Sequence, residues 1–135
     1  MPNLLEIYGI NEDAIDDNGV EMQISPSGKN LFKAKLSYKG VKIGFVEVRK
    51  DEKNKLMRVE QTIVENDWQR KGIGMAMYVR MGDWAKKMGF KLASDLIRSA
   101  QAEALWKKLE VNGLADQTKL FDEIEGSEAV IYIMR

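Results

Sequence analysis

The sequence predicts an α/β fold of the α+β kind, with one mixed and mostly antiparallel sheet. Three observations carry this. Apolar residues alternate with polar ones through the first half. The spacing switches to every third or fourth residue after Gly72. Short strand-like runs then return on either side of a second helical stretch.

In chain order, Val20, Met22 and Ile24 alternate with polar neighbours, and Ser25-Pro26-Ser27-Gly28 reads as a turn. Phe32, Ala34, Leu36 and Tyr38 give a second strand, and Lys39-Gly40 a tight connection. Val41, Ile43 and Phe45 alternate in a third, where a change of phase to Val46 and Val48 suggests a bulge. After a charged turn from Asp51 to Asn54, Met57, Val59, Gln61 and Ile63 take one face of a fourth strand. Arg58, Glu60, Thr62 and Val64 take the other. Such short connections imply an antiparallel meander. Ile73, Met77, Met81, Trp84 and Met88 then line one face of a helix that Gly89 ends, the methionines serving as core filler. Phe90 to Asp95 reads as a strand. Ser99 caps a second helix striped by Ala102, Leu105, Trp106 and Leu109, and Asn112-Gly113 closes it. The run from Ala129 to Met134 is a final strand.

Composition narrows the chemistry. A chain of 135 residues, 44% apolar and 31% charged, suits a single globular domain over 1–135. No apolar run approaches the ~18 residues of a membrane span. The opening MPNLLEIYGINEDAIDD lacks a basic start and a long apolar stretch, so the expectation is a cytoplasmic protein without a signal peptide or a membrane partner. The 21 basic and 21 acidic residues cancel, and no nucleic-acid partner is expected. Lys33, Lys35, Lys39 and Lys42 read as a solvated strand face. Cysteine and histidine are both missing from the sequence. That excludes disulfides, cysteine nucleophiles and histidine triads, and no metal site is expected. Acid–base work falls to Asp, Glu, Lys, Tyr, a terminal amine or water.

One segment carries chemistry. Glu65-Asn66-Asp67-Trp68-Gln69-Arg70-Lys71-Gly72-Ile73-Gly74 joins a strand to the long helix. The first N–H groups of a helix lack partners within it, and its dipole makes that end partly positive, so a phosphate fits there. Gly72 and Gly74 allow the backbone close approach, and Arg70 and Lys71 add charge. The segment is therefore expected to hold the pyrophosphate of a nucleotide-type cofactor. The Walker A pattern is not present. A dinucleotide fingerprint would want a small residue where Met77 stands and a first βαβ unit, although Asp95 falls about 20 residues on, as it would require.

Gln69-Arg70-Lys71-Gly72-Ile73-Gly74 also fits the Gln/Arg-x-x-Gly-x-Gly/Ala motif of the GNAT family of acetyl-CoA-dependent N-acetyltransferases. Ser99, Ala102, Leu105 and Trp106, followed by Gly113-Leu114-Ala115, resemble the family's second-helix signature, and the likeness spans roughly residues 30 to 135. The resemblance implies acetyl-CoA as cofactor, at a central strand–loop–helix site. The backbone of Ile63 and Val64 would pair with the pantetheine arm and orient the acetyl carbonyl. N–H groups of Gln69, Arg70, Lys71, Gly72, Ile73, Gly74 and Met75 would bind the pyrophosphate. Ser99 would replace the asparagine that touches pantetheine, and Trp106 stands where the family keeps the tyrosine that protonates the leaving thiolate. The acetyl group would pass directly to the primary amine of a protein, peptide or small molecule. An inactive coenzyme-A-binding or interaction module of the same fold is the alternative. Segment 1–19 would hold abbreviated N-terminal helices, leaving the acceptor side open. A homodimer is compatible with this reading.

An amine attacks only when neutral, yet an alkylamine near pKa ~10.4 is protonated at neutral pH. Glu60, read as sharing a strand face with Thr62 and Val64, is the candidate general base. The bland alternative is a solvated or ion-paired glutamate, with Arg58 as partner. Glu65 and Asp67 are further candidates. In place of the missing acid, Tyr132, water or the product ammonium would protonate the thiolate.

Overall fold

The computed structural model describes residues 19–68, 72–123 and 125–135. The expected N-terminal helices, and Gln69, Arg70 and Lys71, lie outside the described residues. The strands are β1 (Val20–Gly28), β2 (Leu31–Tyr38), β3 (Val41–Asp51), β4 (Leu56–Val64), β5 (Lys91–Ala93), β6 (Ala115–Asp122) and β7 (Ser127–Met134). The helices are α1 (Ile73–Lys87) and α2 (Ala100–Val111), and a 3-10 turn at Asn66–Trp68 leads from β4 towards α1. All seven strands form one sheet in the order β1-β2-β3-β4-β5-β7-β6. Among the described strands only β4 and β5 are parallel, as a crossover through α1 demands.

The first four strands form the expected meander. Lys39 and Gly40 both take positive φ (49° and 84°), the backbone of a tight two-residue hairpin. The expected turn at Ser25–Gly28 is instead the end of β1, which pairs Pro26 with Phe32 and turns at Asn30, φ 58°. Proline is tolerated there because, among the described residues, β1 is an edge strand of the sheet.

Two bulges set which residues face the core. In β3, Leu36 opposes Gly44 and Ser37 opposes Lys42, leaving Ile43 as the extra residue. The change of phase expected near Val46 therefore occurs at Ile43, and Gly44, Val46 and Val48 face inward together. In β4, Gln61 opposes Glu47 and Val59 opposes Val48, so Glu60 is the extra residue. Met57, Val59, Thr62 and Val64 then share the core face. Glu60 was expected on that face with Thr62 and Val64; the bulge removes it.

That face is covered by α1 and part of α2. Ala34, Leu36, Val46, Val48, Met57 and Val59 pack with Met77, Met81, Ala85, Trp106 and Leu109 in one cluster. Met77 and Met81 are fully buried, as filler should be, whereas Met88 is 49% exposed. A smaller cluster holds Leu56, Ala93 and Ile131.

The β4–β5 seam is short: Leu56 with Lys91, Met57 with Leu92, Arg58 with Ala93. Beyond it β5 turns to β7. The amide of Ser94 donates to the Tyr132 carbonyl at 2.8 Å, and the buried Ser94 hydroxyl accepts from the Tyr132 amide at 2.8 Å. β4 runs on past the seam, so no strand lies beside Val59–Ile63 on that side among the described residues. The two chains part like the arms of a V.

Candidate active site

A cleft fills this V. Its outer part, about 300 Å³, lies between Thr62, Val64 and Trp68, the start of α1 at Gly72–Gly74, and the first turns of α2 at Ser99, Ala102 and Leu105. Its inner part, about 250 Å³, lies between Val59–Thr62 of β4, the Asp95–Ser99 loop and Trp106. Thr62, Tyr78, Ser99 and Ala102 border both.

The start of α1 presents backbone N–H groups of the kind an anion accepts from. Gly72 holds φ at 80°, a left-handed conformation that costs a residue with a Cβ about 1 kcal/mol or more. No side chain caps the helix there, and its first turn has no acidic residue. The first helical bond runs from the Ala76 amide to the Gly72 carbonyl, 3.1 Å, so Ile73, Gly74 and Met75 precede the ladder and their N–H groups have no intrahelical acceptor. The contrast with α2 is direct: the Ser99 Oγ accepts from the Ala102 amide at 3.1 Å and caps that helix. A Cβ on Gly74 would lie 3.4 Å from Leu105 Cδ2, across the cleft's outer wall.

The other expected residues distribute as follows. Ile73, Gly72, Gly74, Val64 and Ser99 border the outer cleft. Met75 is buried and can offer only its amide. Ile63 opposes Phe45 on the outer sheet face and likewise can offer only backbone. Glu60 borders the inner cleft and pairs with Arg49, not with Arg58, which pairs with Asp51 at 2.8 Å. Trp106 is 1% exposed, its ring 5.2 Å from that of Tyr78 and stacked 5.9 Å from that of Tyr132. Tyr132 lies behind it and does not border either part of the cleft. Its hydroxyl donates to Glu103 at 2.8 Å, and burial together with that carboxylate holds the phenol above its ordinary pKa.

Thr62, Trp68 and Tyr78 also line the cleft, though no sequence motif marks them as site residues. Tyr78 lay off the apolar stripe, yet it falls four residues after Gly74 and so on the same helix face. Its hydroxyl shares a 2.9 Å hydrogen bond with Thr62 Oγ1.

The Asp95–Ser99 arm is clamped. Arg98 Nη1 donates to the carbonyls of Asp95 (2.8 Å) and Val130 (3.0 Å), while Nε donates to Glu103 at 2.5 Å. Those contacts hold the Glu103 carboxyl below its usual pKa, with Arg98 as the main cause and Tyr132 second. Among the described residues no acidic cluster could hold a metal ion, and no helix is long and apolar enough to cross a membrane.

The sequence pattern of the acetyltransferase (GNAT) family matches residues 6–110. The chain belongs to that family. Solved GNAT structures share its fold at low identity. The ribosomal-protein-S18-alanine N-acetyltransferase of Escherichia coli is 20% identical, with a TM-score of 0.56 over 80% of this chain and 70% of that one. The IAA acetyltransferase of Bacillus cereus ATCC 14579 is 16% identical, with a TM-score of 0.61 over 85% and 98%. A putative streptothricin acetyltransferase of Bacillus anthracis str. Ames, solved with acetyl coenzyme A, is 19% identical, with a TM-score of 0.55 over 81% and 64%. No curated protein sequence matches the chain. Within the cleft of this GNAT protein, Trp106 and Tyr78 stand side by side.

Proposed function

We propose that this GNAT protein transfers the acetyl group of acetyl-CoA directly to the primary amine of a protein, peptide or small molecule. The observation that carries the reading is the uncapped start of α1, opening on a cleft that continues along the open side of β4. Amides of Ile73, Gly74 and Met75 fit a pyrophosphate, with Gln69, Arg70 and Lys71 assigned to the same role from the motif. Backbone groups of Ile63 and Val64 would hold the pantetheine arm, and the Ser99 hydroxyl and Trp106 would border it. Acetyl-CoA supplies the activated acyl group. Glu60, at the inner mouth, would take the amine's proton. The solved relative that carries acetyl coenzyme A supports the cofactor, and the relative named for alanine N-acetylation supports an amine acceptor. A single domain at work in the cytoplasm, as a monomer or homodimer, completes the reading.

Calorimetry tests it. Acetyl-CoA and CoA should bind, and ATP and NAD should bind little. Tighter binding of NAD than of acetyl-CoA would overturn the assignment. Trp106 favours a second reading, a coenzyme-A-binding module without turnover, because indole offers no ionisable acid. Acetyl transfer to any member of an amine panel excludes it.

A further inference from the structure

We infer that Tyr78 is the catalytic acid of this enzyme, giving its phenolic proton to the departing thiolate from α1 where Trp106 of α2 cannot. The inference rests on the proposed transfer from acetyl-CoA to an amine. Tyr78 borders both parts of the cleft, at the junction between the end that suits a pyrophosphate and the end that opens on Glu60. A thioester carried on an arm that enters from α1 reaches that junction before it meets an acceptor held near Glu60. The Tyr78 side chain is fixed there: its ring packs 5.2 Å from Trp106 and its hydroxyl bonds Thr62 Oγ1 at 2.9 Å. Thr62 faces the cleft because of the bulge at Glu60, so the strand and the helix aim their hydroxyls at one place. Burial holds the phenol above its ordinary pKa, with Thr62 pulling the other way, so it stays protonated at neutral pH and available as a donor. Tyr132 is already committed to Glu103 behind the indole.

The proton balance closes. As the amine nitrogen bonds the acyl carbon, the C–S bond breaks with its electron pair on sulfur, and Tyr78 delivers a proton to that sulfur. The proton shed by the nitrogen goes to Glu60 or water, and solvent reprotonates the phenolate. The net change is an amide and a thiol from an amine and a thioester.

Two readouts test this. Tyr78→Phe should lower kcat roughly hundredfold while the affinity for acetyl-CoA stays within about threefold. Independently of turnover, the thiol of bound CoA, titrated by its ultraviolet thiolate absorbance, should ionise about one pH unit or more higher in Tyr78→Phe, because a donor to the thiolate has gone. Thr62→Val keeps the phenol but frees its orientation, so it should move both quantities in the same direction by less; it replaces Tyr78→Phe if that variant does not fold. Unchanged kcat and unchanged thiol ionisation in the folded variant overturn the role of Tyr78. Failure of the wild-type protein to bind acetyl-CoA at all overturns the proposed function instead.

Discussion

At the scale of single residues, Glu60 is the acidic group of β4 that borders the inner part of the cleft. Alternation alone put it on the cleft face; the bulge makes it the extra residue of β4, at the cleft's inner mouth with its carboxylate on Arg49. A bulge leaves no trace in a period-two pattern when the residues around it, Glu60 and Gln61, are both polar. The pair with Arg49 is one-third to one-half exposed, so it is a weak constraint that an acceptor ammonium can displace. If Glu60 takes the amine's proton, Glu60→Gln should lower turnover about a hundredfold with acetyl-CoA affinity intact. Steady-state rates across pH 6–9 check it. Unchanged rates at every pH would assign the base to water or another carboxylate. Gly72 was legible for a firmer reason, since φ of 80° at a helix start admits few other residues.

At the scale of elements, the Asp95–Ser99 arm depends on one charge network. Glu103 accepts from Arg98 and from Tyr132, and its carboxyl is held below the usual value by Arg98 first. A depressed carboxyl stabilises the fold in full above its unfolded pKa of about 4.5, and that contribution is lost as pH falls through the folded value. Glu103→Gln should therefore be less stable than wild type at pH 7, and the gap should narrow on acidification to pH 4. Urea denaturation at the two pH values measures it; a gap that stays constant refutes the network's role. Most elements were legible because each has a one-sided pattern: the meander, both helices and β7. The strand β6 was not. From Asp116 to Lys119 its residues are all exposed, and Ala115 and Leu120 near its ends are covered, so the middle of the strand has no alternation to show. β5 is shorter than the sequence suggests: its strand covers Lys91–Ala93, and after Ser94 the chain enters the Asp95–Ser99 loop that leads to α2. The helix start at Gly72–Gly74 was legible from the glycine pattern that precedes the apolar stripe of α1. The cleft was not, because it arises where two strands part, and divergence is a property of pairing that one strand's sequence does not record.

At the scale of the whole molecule, the sheet is two blocks joined by a narrow seam. The first block is a four-stranded meander with long registers, and the second is β5 with the β6–β7 hairpin. Three residue pairs link β4 to β5 among the described residues, while the Ala93–Ile133 pair and two Ser94–Tyr132 hydrogen bonds tie β5 to β7. Local opening of a fold begins where the fewest bonds must break together. Deuterium should therefore enter at the amides of Leu92 and Ala93 well before those of Val46 and Val48. A bound coenzyme touching both arms of the V would act as a clasp, favouring the closed seam by mass action. Adding CoA should slow exchange at residues 57–58 and 92–93 far more than in β2, and mass spectrometry of deuterated peptides would resolve the two regions. Equal slowing everywhere would mean that the blocks open only as one. If the seam is slowed selectively, the gap that makes room for chemistry is also the molecule's breathing joint, quieted by the ligand it admits.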